Sequence, residues 1–338
     1  GTVLYNEYDL TGRVTKQFEK NPRLGASDKR MIYELLPTDA ADPTVPGSAH
    51  CMLVKNYRAI GVDPSPYMAE LARQRKVETI VELFGKKTGE KIIAKHGKAN
   101  LVLANNVFNH SENPSEFTRT VADILANGGY FVFEQPYWLI GLKSGKFDQI
   151  YHEHVSYFTV KSASTLLARA GLEIISAKVV NYHGGSLRII AQRKTDVEKK
   201  SEDVEKMIRD EEDYGTFKVE TYEKFMKKNT QRRNKFLQLI HKIKEEGHPI
   251  IAVGAAAKGN TFLNFYNLDR SMIDYVTDSS PHKQGKYTPA TRIPIVGDEV
   301  FSKYKKVYAL VLSWNIADQL KKILYPINPN IEFISPEN

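Results

Sequence analysis

The chain has 338 residues, 41% hydrophobic and 26% charged, the composition of a soluble globular protein long enough for two α/β cores. Its net charge of +8 comes from 48 basic against 40 acidic residues. The two signs interleave in stretches such as KKSEDVEKMIRDEEDYGTFKVETYEKFMKKNTQRR, residues 199–233. That pattern fits a solvated helix surface and an anionic small ligand rather than a stripe tracking nucleic-acid phosphates.

In chain order, YRAIGVD (57–63) reads as a strand and PSPYMAELARQRK (64–76) as an amphipathic helix. ETIVELF (78–84) is a second strand, a helix follows near 87–95, and ANLVLANNVF (99–108) is a buried strand. SEFTRTVADILANGG (115–129) is predicted as a helix closed by glycine, and YFVFEQP (130–136) as a strand. The charged segment 195–246 places Phe236, Leu239, Ile240 and Ile243 on one helical face and is predicted as a connecting helix or helical pair. A second alternating stretch then begins with HPIIAVGAAAKGN (248–260), a strand entering a small-residue turn. MIDYVTD (272–278), VYALVLS (307–313), the helix IADQLKKILY (316–325) and IEFIS (331–335) complete it. The expected domains are 1–194, a helical connector 195–246, and 247–338.

Cys51 is the only cysteine, which excludes an intrachain disulfide and a cysteine-rich zinc site. No apolar run approaches the roughly 20 residues a bilayer span needs. The opening residues have neither the basic start nor the apolar stretch of a secretory leader. The expectation is a cytoplasmic protein without a membrane partner.

Functional side chains are densest in FDQIYHEHVSYF (147–158), where Tyr151, His152, Glu153 and His154 are consecutive. Three readings fit: a His-x-His metal site, ordinary loop polarity, or an acid–base site in which an imidazole works near neutral pH. NNVFNH (105–110) ends a buried strand with Asn105, Asn106 and His110. Ligands of open parallel sheets gather beyond the carboxyl ends of strands, so these three are candidate walls of a cleft, or turn-forming residues. Asp63, at the end of its strand, has the position of a carboxylate that accepts from a ribose diol, although Asp-Pro-Ser also starts helices well. Phe84 suits either an adenine ring or the core. In GAAAKGNT (254–261), Lys258 and a helix N-terminus offer a phosphate site without the spacing of a P-loop. The loop 278–295 gathers Lys283, Lys286, Tyr287, Thr291 and Arg292, suited to a diphosphate with an aromatic for a base, or simply a basic surface loop.

Six stretches in this order, GVDPS, ANNVFNH, FDQIYHEHVSYF, HGGSLRI, GAAAKGNTFLNF and HKQGKYTPATRIPI, resemble the sugar C-methyltransferases that branch deoxysugars at carbon 3. The resemblance covers about residues 57–338. It implies a Rossmann-like domain binding S-adenosyl-L-methionine, followed by a second α/β domain, with a nucleotide-diphosphate sugar between them. It implies His154 as the base that removes a proton beside a 4-keto group, with Tyr151 and Glu153 beside it and His110 facing the keto oxygen. Gly47, Asp63, Phe84, Asn105 and Asn106 would hold the cofactor. Ser186, Lys258, Asn260, Thr261, Lys283, Tyr287 and Arg292 would hold the substrate, and no metal is expected. The family's small four-cysteine zinc domain has no counterpart in the sequence. Its glycine-rich first cofactor turn is replaced by the proline-interrupted DAADPTVPGSAHCML (39–53), in which Gly47 and Ser48 match the end of the turn; MIYELL (31–36) is then the candidate for the preceding strand. A protein of the same fold that binds the nucleotide sugar but has lost methyl transfer is the alternative. The sequence leaves the sugar, the base and the oligomeric state open.

Overall fold

A computed structural model of the chain describes the strand segments 3–8, 14–20 and 31–35 and, with their side chains, residues 58–180, 184–196, 200–312 and 317–336. These form two compact units, Gly1–Ile140 with Val155–Thr216, and Gly141–His154 with Phe217–Asn338.

In the first unit, β1 (Val3–Tyr8) and β2 (Val14–Lys20) make an antiparallel pair. The main sheet consists of β3 (Met31–Leu35), β4 (Arg58–Val62), β5 (Glu78–Ile80), β6 (Ala99–Asn105), β7 (Leu125–Pro136), β8 (Leu172–Val180) and β9 (Ser186–Arg193). Their order is β5-β4-β3-β6-β7-β9-β8. The first five run parallel, and β9 is antiparallel to both of its neighbours. MIYEL is therefore a central strand, as the sequence suggested. Strand order reverses between β3 and β6, which places the ligand crevice of a doubly wound sheet beyond their carboxyl ends.

Helices α1 (Pro66–Gln74), α2 (Lys86–His96), α3 (Pro114–Ile124), α4 (Trp138–Ser144), α5 (Val160–Ala168) and α6 (Glu202–Asp213) accompany this sheet. Local signals start them: Ser65 and Asn113 cap α1 and α3 with proline in the first turn, and Thr159 and Ser162 form a capping box on α5. Side chains alternate across the sheet. Ile60, Val62, Val102, Ala104, Phe131 and Phe133 face α2, α3 and α5, whereas Ala59, Leu103 and Val132 pack with Ala72 of α1 and Val77.

Two predicted elements are corrected. The strand expected over 78–84 stops at Ile80, because β5 is the sheet edge: the Glu82 N–H turns back to Ile80 O, and Val81 and Leu83 are exposed. The helix expected to run to a glycine at 129 ends at Ile124, and the chain continues directly as β7. The glycines serve a bulge instead. Gly128 has φ +69°, and a Cβ on Gly129 would lie 2.9 Å from Ala99 O, opposite the register shift of β6.

The second unit is a five-stranded parallel sheet. It comprises β10 (Ile250–Val253), β11 (Tyr275–Thr277), β12 (Ile295–Val296), β13 (Val307–Val311) and β14 (Ile331–Ile334), in the order β12-β11-β10-β13-β14. With it go α7 (Val219–Glu245), α8 (Ala257–Phe265) and α9 (Ala317–Leu324). The charged segment is thus a helical pair: Val204 of α6 joins the first core, and Phe236, Ile240 and Ile243 of α7 join the second. Leu239, expected on the same face, is 36% exposed.

Candidate functional site

Asp63 follows β4 directly and is 1% exposed. Its Oδ1 accepts the Ser65 N–H at 2.7 Å, and its Oδ2 is buried with no partner among the described residues. Burial pushes its pKa above the usual carboxylate range, and the Ser65 bond opposes that. A buried carboxylate oxygen left open at a strand's carboxyl end is what a vicinal diol requires. Phe84 is half-buried, packed against the core with its ring 4.7 Å from that of Phe117.

The end of β6 carries further open acceptors. Asn105, Asn106 and Asn109 each have a buried Oδ1 without a partner among the described residues. Asn106 adopts φ +53°, an uncommon conformation that asparagine tolerates better than most residues, while its N–H donates to Glu134 O at 2.7 Å. His110, half-buried, closes a 3-10 turn anchored by Phe108. The Phe108 ring meets Phe117, Phe131, Phe133 and Phe158 at 4.8, 5.8, 5.0 and 5.1 Å. Each such pair adds about 0.5–1.5 kcal/mol beyond area burial, which makes this turn a rigid mount for the histidine. Gln135, near the end of β7, is fully buried with both amide atoms unpartnered among the described residues. Gln135 and Asn109 are not among the residues singled out from the sequence; for Gln135 the available signal was an amide directly after the apolar stretch YFVF and Glu134. Beside them Glu134 pairs with Arg188 of β9, both nearly buried. Ser186, at the start of β9, is buried opposite Pro136.

The Tyr-His-Glu-His run belongs to the other unit. His154 donates its N–H to Tyr151 O at 3.0 Å, and the two rings lie 4.1 Å apart. Glu153 has one buried oxygen, Oε2, without a partner among the described residues. His152 points outward with 85% of its side chain exposed, 3.9 Å from Glu153. Among the described residues no three His, Cys, Asp or Glu side chains gather as a metal site would need. The stretch before the run is held by Phe147, 4.3 Å from Phe265, and by Arg232, which donates to Ser144 O at 3.3 Å.

In the same unit Gly254, at φ +96°, turns the chain from β10 into α8, whose N-terminus has no side-chain cap. Lys258, Asn260 and Thr261 stand in its first turns, all half-buried. Asp278, not singled out from the sequence, ties this turn to the following loop by accepting from the Ala255 and Ser280 N–H groups, at 2.9 Å each, and from Lys283 at 3.1 Å. Lys283 is thus already paired with a carboxylate. Arg292 is exposed with φ +52°, and Tyr287 is 60% exposed. Near the carboxyl ends of β13 and β14 lies a cavity of about 240 Å³, walled by Phe147, Phe262, Tyr266, Leu312 and Phe333, with Arg232 on its lining. Gly47 and the segment 39–53 lie outside the described residues.

Residues 49–177 match the family model of a methyltransferase domain, and residues 181–336 match that of the C-methyltransferase C-terminal domain. The chain therefore carries a methyltransferase domain followed by a C-methyltransferase C-terminal domain. The C-methyltransferase NovU of Streptomyces niveus is 33% identical over 263 residues, 78% of this chain and 63% of that protein. The chain therefore spans less than two thirds of the curated relative's length. Among solved structures, the 1,6-didemethyltoxoflavin-N1-methyltransferase of Burkholderia thailandensis is 17% identical, covering 48% of this chain and 71% of its own, with a TM-score of 0.34. The N-methyltransferase NodS of Bradyrhizobium japonicum is 12% identical, covering 48% and 85%, also at 0.34. No described helix is long and apolar enough to cross a membrane.

Proposed function

We propose that the chain transfers a methyl group from S-adenosyl-L-methionine to a carbon, C-3, of a nucleotide-linked 4-keto-deoxysugar. The observation that carries the reading is the open, buried Oδ2 of Asp63 after β4, with open amide oxygens at the end of β6 two strands along the sheet, in a chain that carries a C-methyltransferase C-terminal domain. Those residues fit the cofactor: Asp63 would accept from its ribose hydroxyls, and Asn105 and Asn106 would bind its remaining polar groups. Bound there, the cofactor supplies an electrophilic methyl group on a sulfonium.

The chain's own residues do the rest. His154 takes the proton from the carbon beside the keto group, a task an imidazole suits near neutral pH. Tyr151 and Glu153 orient it, and His110 donates to the enolate oxygen, whose charge a fixed donor stabilises. Lys258, the uncapped N-terminus of α8 and Arg292 bind the diphosphate. The aromatic-walled cavity of the same unit offers a stacking wall to a flat base.

The test is calorimetric titration with S-adenosylhomocysteine, followed by mass-spectrometric turnover with nucleotide-linked 4-keto-deoxysugars. Micromolar binding and a gain of one methyl group are expected. Because the proline-interrupted segment 39–53 replaces the family's glycine turn, a second reading stands: a nucleotide-sugar-binding protein without methyl transfer. Absence of binding at millimolar S-adenosylhomocysteine would select it.

A further inference from the structure

Glu211, on α6, is a carboxylate with 0% exposure. Its Oε1 accepts from the Tyr137 hydroxyl at 2.8 Å and from the Val160 N–H at 2.5 Å, and its Oε2 accepts from the Lys161 N–H at 3.0 Å. Burial, then the carboxylate beside it, push the Tyr137 phenol well above the ordinary tyrosine pKa, so it remains a donor. Tyr137 directly follows β7, and Val160 and Lys161 open α5. Tyr137 also bridges to Phe158, and the Trp138 N–H donates to Phe158 O at 3.1 Å. One carboxylate therefore holds both ends of the stretch 138–159. Between those ends the chain leaves the first unit at Ile140 and returns at Val155. Tyr151, Glu153 and His154 are among the last four residues before the return.

Starting α5 does not require this charge, because Thr159 and Ser162 already provide a complete capping box. A fully buried carboxylate has a desolvation cost of several kcal/mol, offset here by three charge-assisted bonds. Those bonds join two distant points of the chain rather than one helix end.

We propose that Glu211 is a positioning residue: it fixes the exit and re-entry of the stretch bearing Tyr151, Glu153 and His154, and so fixes where the proposed base is held. The inference rests on the methyltransferase reading above. It is tested with the full chain carrying Tyr137→Phe, which removes one donor with little change of shape, and Glu211→Gln, which removes the charge. The readouts are hydrogen–deuterium exchange over 145–158, affinity for S-adenosylhomocysteine, and kcat against KM for the sugar nucleotide. Exchange over 145–158 should rise about tenfold in Tyr137→Phe, the scale of one lost bond to a charged group, with β6 and α7 unchanged. Turnover should fall about tenfold through kcat, with KM altered less than about twofold and cofactor-product affinity kept. If Glu211→Gln does not fold, Tyr137→Phe alone decides. Unchanged exchange over 145–158 in Tyr137→Phe overturns the proposal, and so does a loss of protection spread evenly over the first unit. A wild-type chain without turnover would sink the methyltransferase reading, and the exchange result would still decide for or against the clamp.

Discussion

Replacing Asp63 by asparagine keeps the side-chain shape and an acceptor for the Ser65 N–H, and removes the negative charge together with the open Oδ2. If that oxygen receives the ribose hydroxyls, Asp63→Asn loses a hydrogen bond to a charged group, about 1.5–3 kcal/mol, or roughly 10- to 150-fold in Kd for S-adenosylhomocysteine. Stability should move the other way. The folded pKa of Asp63 is raised, chiefly by burial. Its stabilising contribution is therefore full below the ordinary carboxylate pKa and is lost as pH rises through the folded value. At pH 7 the wild type carries the cost of a buried charge and the asparagine variant does not. Asp63→Asn should accordingly have the higher Tm at pH 7, with the gap closing as pH falls into the carboxylate range. Calorimetric titration measures the first effect and thermal melts across pH measure the second. Wild-type affinity in the variant, or a lower Tm at pH 7, would refute the assignment of Asp63 as a buried carboxylate held open for the cofactor.

Three further outcomes are expected. His154→Ala should lower kcat by about 10²–10⁴-fold, the usual worth of a general base, while leaving S-adenosylhomocysteine binding intact by calorimetry; half of wild-type turnover would remove it from the mechanism. Lys258→Ala and Arg292→Ala should each raise KM for the sugar nucleotide more than they lower kcat, since phosphate contacts are similar in ground and transition states; steady-state kinetics with unchanged KM would assign both to structure. Arg188→Met should cost about 3–5 kcal/mol in urea unfolding, because it strips the guanidinium from the buried Glu134 carboxylate; a loss under about 1 kcal/mol would mean that another partner holds that charge.

What the sequence determined by itself was local or compositional. Short apolar runs located β4, β6, β10 and β13, which are buried on both faces, and the 3.6-residue period located α1 and α7, because burial is written in side-chain order. Ser65 marked a helix start through its bond to a near neighbour, the Met68 N–H. Asp63, Asn105, Asn106 and the Tyr-His-Glu-His run were legible because strand ends and dense polar clusters are visible along the chain. Tertiary structure alone decided the rest. Whether ETIVELF stays a strand depended on β5 being an edge, and whether Gly129 caps a helix depended on β6 lying against it. That Lys283 faces Asp278, that Gln135 and Asn109 are buried amides with open atoms, and that Glu211 joins Tyr137 to Val160 all involve partners brought close by sheet order and helix packing. Which polar groups are neutralised and which stay open is set by three-dimensional neighbours, and no pattern along the chain encodes those.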